Sequence, residues 1–454
     1  MNTLLLQPTD VLFFRDGRPM GGSSAGHGEA WPLPNVTDAA LHAALRRSGL
    51  ECHKHDQIRR DGKRGREDIR LFGSLVTAGP FPVKKETGVS WWFFPRPLDL
   101  QTDTLKPSLL PCLGDWNSSS SLPVPLSCAV AHADDARLSK DSIAKVWLSQ
   151  KAFERYLEGS DEKLDEKDAL DDRDFSNSEV NIGIAIDPDT QTTGQGEAEG
   201  KIYSAHYLRL REGWHLGLFA ATSEKKGDSR TDLIPTLLGD GQHIIVGGQQ
   251  RACTAALLTR TSPLSLPQGK RTFSTAADGK VRVKWVLLSP AVFPAITTDG
   301  ATHTGGWLPS WVCQSDGAVQ LRSEASPRGQ RETREEWRAR VQLQPTISAR
   351  LVAALIPKPV VVTGWALGDE DLGDEGSPGA KSTHLAVPAG AVYYFEADSP
   401  VDADNLAAAL NWHGAVTGDP MKDFTEIKNR RSTLLGEKGF GLGVCGTWRF
   451  RGEH

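Results

Sequence analysis

The short apolar run from Thr3 to Leu6 predicts a strand, followed by the segment Asp10 to Met20. A turn-rich stretch from Gly21 to Pro34 leads into a helix. Thr37 or Asp38 is placed to cap it, Leu41, Ala44 and Leu45 share its inner face, and Gly49 stops it. The bulky run Trp91 to Phe94 suits a buried strand. Lys140 to Leu157 has helical spacing, with Ile143, Val146, Trp147 and Phe153 on one side. Strands are expected at Asn181 to Ile186, Lys201 to Leu210 and Trp214 to Phe219, the last two joined by a turn at Glu212-Gly213.

Pro263 to Gly279 is rich in Pro, Ser, Thr and Gly and reads as a boundary. Beyond it the pattern predicts a strand at Val281 to Leu288 and a helix at Gln344 to Leu355. Strands at Pro359 to Trp365 and Ala391 to Phe395, a helix at Asp402 to Asn411 and a strand at Gly443 to Phe450 complete the series. Strands and helices intermix without the regular alternation of a doubly wound sheet. An α+β chain of two ferredoxin-like βαββαβ units with large insertions fits best, over residues 1–262 and 280–454.

Composition narrows the function classes. Of the 454 residues, 39% are hydrophobic, and no window approaches the roughly 18 apolar residues of a membrane span. Met1 to Leu6 lacks the basic and apolar regions of a signal peptide, so a cytoplasmic location is expected. The cysteines form no C-x-x-C pair. Cys52, His53 and His55 cluster without a second ligand pair at zinc spacing, so neither metal nor cofactor is expected.

The net charge of −5 argues against a protein coating nucleic acid over its whole surface, but not against local patches. Seven basic residues lie between Lys54 and Arg70, in a loop without apolar period. Six arginines between Arg322 and Arg340 are interleaved with Glu324, Glu332, Glu335 and Glu336, the pattern of a solvated helix in which Glu335 and Glu336 pair with Arg338 and Arg340. Glu158 to Asp174 holds nine acidic residues against three basic, and reads as an exposed linker that repels RNA.

Two segments carry candidate chemistry. In Phe14-Arg15-Asp16-Gly17-Arg18-Pro19 the Asp-Gly pair favours a tight turn that presents Arg15 and Arg18 together, and guanidinium groups match phosphate oxygens. An ordinary hairpin with solvated arginines is the alternative. In Gly436 to Gly446, five glycines in eleven residues leave backbone N–H groups open to a phosphate, with Lys428, Arg430, Arg431 and Lys438 nearby. A purely structural turn is the alternative here. Gly441, Gly443 and Gly446 also match G-x-G-x-x-G, but only eight residues follow, too few for a dinucleotide-binding unit.

Several motifs occur in an order that resembles the RAMP superfamily of CRISPR proteins, and within it the family of subunit three of the type III-B Cmr effector complex. They are Leu12 to Met20, Trp31-Pro-Leu-Pro34, Ile182 to Asp187 with Gly200 to Tyr203, Val246-Gly-Gly-Gln249, Gly364-Trp365, Val387 to Tyr394 and the C-terminal glycine loop. The resemblance implies two ferredoxin-like domains related to RNA-recognition motifs. It implies a non-catalytic subunit that caps the 5′ repeat-derived tag of the guide crRNA, between the large cyclase/polymerase-like subunit and the backbone RAMP subunit. Arg15, Gly17 and Arg18 become candidate tag contacts, with His27 a weaker one. Gly439, Gly441 and Gly443 become a backbone cradle flanked by Arg431 and Lys438, with Phe440 and Phe14 as stacking faces. Two other classes stay open: a metal-independent ribonuclease using His27, and a scaffold without RNA contacts. The stretches 50–70, 155–180 and 315–340 look like insertions.

Overall fold

The computed structural model describes residues 1–15, 30–50, 55–56, 69–70, 73–100, 105, 109–111, 126–130, 146–184, 186–187, 189–193, 202–226, 229–239, 241–258, 263–298, 300–323, 332–366, 379–419 and 422–453. The first half contributes β1 (Asn2–Pro8), α1 (Pro34–Arg47), β2 (Val76–Glu86), β3 (Val89–Pro95), β4 (Trp147–Ser149) and α2 (Gln150–Leu157). It continues with β5 (Ser176–Ile184), β6 (Ile202–Leu210), β7 (Trp214–Ala221), α3 (Ile234–Leu238), β8 (Gln242–Ile245) and β9 (Ala252–Leu257). The second half has β10 (Val281–Leu287), α4 (Arg334–Gln342), β11 (Ala349–Leu355), β12 (Val392–Ala397), α5 (Pro400–Leu410) and β13 (Gly443–Gly446). The chain is thus a mixed α/β protein in which strands predominate.

One eight-stranded sheet runs Ala169–Leu170, β4, β3, β2, β7, β1, β9, β8. Its centre, β2-β7-β1-β9, has the order second, third, first, fourth when numbered along the chain. The four-stranded sheet β11-β12-β10-β13 repeats that order. A small third sheet joins Leu12–Phe13, β6 and β5.

The alternation of each central strand sorts its side chains to two faces. Leu4, Leu6, Leu216 and Leu218 pack with Leu41 and Leu45 of α1 and Ile234 of α3 on the outer face of the large sheet. Val283, Trp285, Leu351 and Phe395 pack with Leu406 and Leu410 of α5 on the outer face of the smaller one. The inner faces meet each other: Leu5, Phe81, Trp92, Phe94 and Phe219 share a core with Val286, Val352, Tyr394 and Val444, and Phe153 and Leu157 of α2 wedge between them. The result is helix, sheet, sheet, helix. At roughly 1.5–3 kcal/mol for each large apolar side chain buried, this seam is a principal source of stability. The stretch expected to separate the halves is packed too: Leu264 and Leu266 lie in the shared core, and Trp412 Nε1 donates to the Pro267 carbonyl at 2.8 Å.

The seam also holds charge. Lys284 of β10 is fully buried, with Nζ 3.2 Å from the Tyr156 carbonyl oxygen and 3.3 Å from the centre of the Tyr156 ring. Buried Asp99 accepts hydrogen bonds from the hydroxyls of Tyr156, at 2.8 Å, and Tyr394, at 2.7 Å. Polar atoms from both halves therefore meet between the sheets.

Several local expectations are corrected. Helix α1 starts at Pro34, whose fixed φ suits the first helical position, so neither Thr37 nor Asp38 caps it. Both are buried inside the helix, Asp38 accepting from Thr77 Oγ1 at 3.2 Å. Ala349–Leu355 is a strand, not a helix, because it completes the sheet beside β12. Within Lys140 to Leu157 the described helix is only α2, preceded by strand β4. The acidic stretch is not a free linker: Ala169–Leu170 is the sheet edge, and Leu164, Asp168 and Phe175 are buried. Helix α4 does occupy the arginine–glutamate stretch and buries no described side chain. The Glu336 carboxylate, however, accepts the N–H of the N-cap Thr333 at 2.7 Å, and Arg340 pairs with Glu332 at 2.8 Å. No described helix is long and apolar enough to cross a membrane.

Candidate nucleic-acid interface

Leu12 and Phe13 pair with Leu208 and Tyr207 of β6, which carries the chain away from the large sheet just before Arg15. The turn at Gly247-Gly248 holds this exit. Gly248 N–H donates to the Phe13 carbonyl at 2.8 Å, and Val246 N–H donates to the Arg251 carbonyl at 2.8 Å. Gly247 adopts φ +78°, and a Cβ there would lie 2.5 Å from the Phe13 oxygen, so glycine is required. Gln249 and Gln250 follow, also with positive φ.

Around this junction the fold assembles a polar surface. Arg15 is exposed. The Arg251 guanidinium lies 5.1 Å over the Tyr207 ring, whose hydroxyl donates to Gln249 Oε1 at 2.8 Å. Arg209 pairs with Asp10 at 2.8 Å and with Glu179, and Asp10 also faces Arg251 at 3.6 Å. The Arg209 hydrogen bond holds the Asp10 carboxyl below the usual range, and its two carboxylate partners raise the Arg209 guanidinium. Arg209 and Arg251 balance Asp10 and Glu179, and Arg15 follows along the chain as a further, exposed cation. Gly17, Arg18 and His27 lie outside the described residues.

The C-terminal glycine loop has a different character. Lys438, Gly439, Phe440, Gly441 and Gly443 are all buried. The space the glycines leave is filled by protein. A Cβ at Gly439 would sit 3.1 Å from Ala78 Cα and 3.3 Å from Pro34 Cβ. One at Gly446 would sit 2.7 Å from the Leu157 oxygen, one at Gly441 would strike Ser432, and one at Gly443 would strike the Trp285 ring. The expected phosphate cradle is corrected: the backbone is approached by the chain's own seam. Phe440 is packed with Val292, Val362 and Ala386, and Phe14 belongs to the core beneath α1, so neither offers a stacking face. The flanking cations also turn inward. Arg431 Nε donates to the Ala409 carbonyl at 2.7 Å, and burial pulls the Arg430 guanidinium down to about 10.

The two segments do not converge. Gly439 abuts Ala78, which lies level with Thr3 through Phe219. Arg15 follows the opposite end of β1, past the Pro8–Cys253 pair, so roughly 17 Å of strand separates the two levels. What the fold gathers beside the Leu12–Phe13 exit is Tyr207, Arg209, Gln249 and Arg251. Only the Val246-Gly-Gly-Gln249 string signalled any of these in the sequence. The basic loop between Lys54 and Arg70 lies mostly outside the described residues. Among the described residues no three metal-ligating side chains come together, and Cys128, Cys253, Cys313 and Cys445 are free thiols.

A family model described as CRISPR-associated protein (Cas_Cmr3) matches residues 4–448. The chain belongs to this family. It is therefore a Cmr effector subunit of the type III-B CRISPR system. No curated protein matches the sequence. Among solved structures, a chain of the type III-B Cmr-beta complex bound to cognate target RNA is 15% identical over 86% of both chains, with a TM-score of 0.39. A chain of the same complex with target RNA and AMPPnP is 14% identical over 86% of both, with a TM-score of 0.40. A chain of the Csm3–Csm4 subcomplex of the type III-A CRISPR–Cas interference complex is 10% identical over 87% of this chain and 92% of that one, at 0.33. Overlaps this loose add nothing to the assignment, which the Cas_Cmr3 match alone decides.

Proposed function

We propose that this Cas_Cmr3 member binds and caps the 5′ repeat-derived tag of the crRNA. In this reading it bridges the large cyclase/polymerase-like subunit to the backbone RAMP subunit, in the cytoplasm and without chemistry of its own. The observation that carries the reading is the surface of Arg15, Gln249, Gln250 and Arg251, net cationic and fixed by the Gly247-Gly248 turn. Guanidinium groups on such a surface suit phosphates, and the amide side chains suit the edges of splayed bases. The recurring strand order, with α1 and α3 as the two crossovers of the first half, supports reading residues 1–262 as a ferredoxin-like unit. In 280–454 the same order keeps α5, and the stretch before β11 replaces the other crossover.

The test measures tag-RNA affinity of the assembled complex as a function of salt. Each phosphate contact contributes about −0.7 to the slope of log affinity against log salt for a single strand. The double substitution Arg15→Ala, Arg251→Ala is expected to make the slope shallower by about one unit or more. An unchanged slope refutes the tag contact and leaves the scaffold reading, which the burial of the glycine loop favours.

A further inference from the structure

The outer part of the third sheet has two unlike faces. One carries Ala205 and Tyr207, buried against Val11 and Phe13. The other carries Val180, Ile182 and Ile184, with Ile202 directly across from Ile184 and Ile186 just beyond the strand. All five are exposed, Ile182 by 75% of its surface, and they make up five of the twelve large hydrophobic side chains found exposed among the described residues. A half-buried strand normally turns polar residues to water. A contiguous aliphatic patch in that position marks a surface with a partner. The same strand is an edge: among the described residues β5 pairs only with β6, so its outer peptide groups can receive one more strand.

The charge pattern identifies the kind of partner. From Val180 to Ile186 the sequence has no ionisable side chain. The nearest carboxylates are occupied, Glu179 by Arg209 and Asp187 by the N–H groups of Asp189 and Thr190 in its own turn. RNA needs cations to neutralise its phosphates, and apart from His206, across from Val180, the described residues of this face supply no basic side chain. An uncharged, aliphatic strand of another protein meets both features at once, its side chains alternating onto the patch while its backbone extends the sheet.

We propose that the β5–β6 hairpin is a docking edge for an apolar strand of another protein subunit of the effector complex. The proposal rests on the chain's working within a multi-subunit assembly, but not on its contact with the guide tag. The test places the photo-crosslinker p-benzoylphenylalanine at Ile182 in the complex purified from its host through a tag on this chain. A covalent adduct with a different protein subunit is expected. An adduct with RNA, an adduct with a second copy of this chain, the absence of any adduct, or purification of the chain without other subunits overturns the proposal. The double substitution Ile182→Glu, Ile184→Glu is expected to weaken association with the crosslinked subunit at least tenfold, with an unchanged melting temperature. If tag affinity proves independent of Arg15 and Arg251 while the protein adduct persists, the capping reading fails and the docking edge stands.

Discussion

Lys284 offers the sharpest quantitative prediction. Burial pushes its ammonium down to about 8 from an ordinary 10.5, with Asp99 opposing the shift. That difference represents about 3 kcal/mol held against the charged form, at about 1.4 kcal/mol for each pKa unit. The sign follows from proton binding. Below pH 8 both folded and unfolded chains hold the proton, and the full burial cost stands. Between pH 8 and 10 the unfolded chain keeps the proton and the folded chain releases it, so stability rises with pH. Above pH 10 the trend reverses, because burial keeps the Tyr156 and Tyr394 phenols neutral in the fold while the unfolded chain ionises them. Lys284→Met removes only the lysine contribution. The unfolding free energy of the natural protein minus that of the variant should therefore grow by about 2 kcal/mol between pH 7.5 and 10. Urea unfolding followed by tryptophan fluorescence across that range reads the difference. Parallel curves would refute the assignment of Lys284 as a buried, desolvated cation.

Two further outcomes follow from the glycine loop and the thiols. Gly443→Ala drives a methyl group into the Trp285 ring and should cost about 1–3 kcal/mol, read as a lower melting temperature; tag affinity of the folded fraction should be unchanged, because the loop faces the seam. Burial pushes the Cys253 thiol up to about 12, so in the native protein at pH 8 a disulfide reagent should label Cys313 well before Cys253, and equal rates would show the β9 core to be open.

Much of the element order was legible because β1, β7, β10 and β12 are short runs rich in apolar residues and each is bounded by turn residues. Ala349 to Leu355 was not: Ala, Leu and Arg are good helix formers, and only pairing with β12 makes the segment extended. Arg282 and Lys284 alternate with valines as if they faced water, yet their face is the seam, and sequence does not say that a second sheet covers it. The glycine loop misled for a related reason. Absent side chains permit close approach by any group, and here the visitors are Trp285, Ser432 and Leu157, not phosphates. Arg15 was visible as a candidate, whereas Arg209 and Arg251 lie about 200 residues further along and meet Asp10 only through the fold.

The shared seam has a consequence for how the protein is made. Phe81, Trp92, Phe94 and Phe219 have emerged long before the strands that cover them, and the covering sheet is complete only with Gly443–Gly446. At roughly 5–20 residues per second of synthesis, the nascent first half waits about 10–40 s with an aromatic face uncovered. During that interval a chaperone, or another nascent chain, can occupy the place that β10 to β13 will later fill.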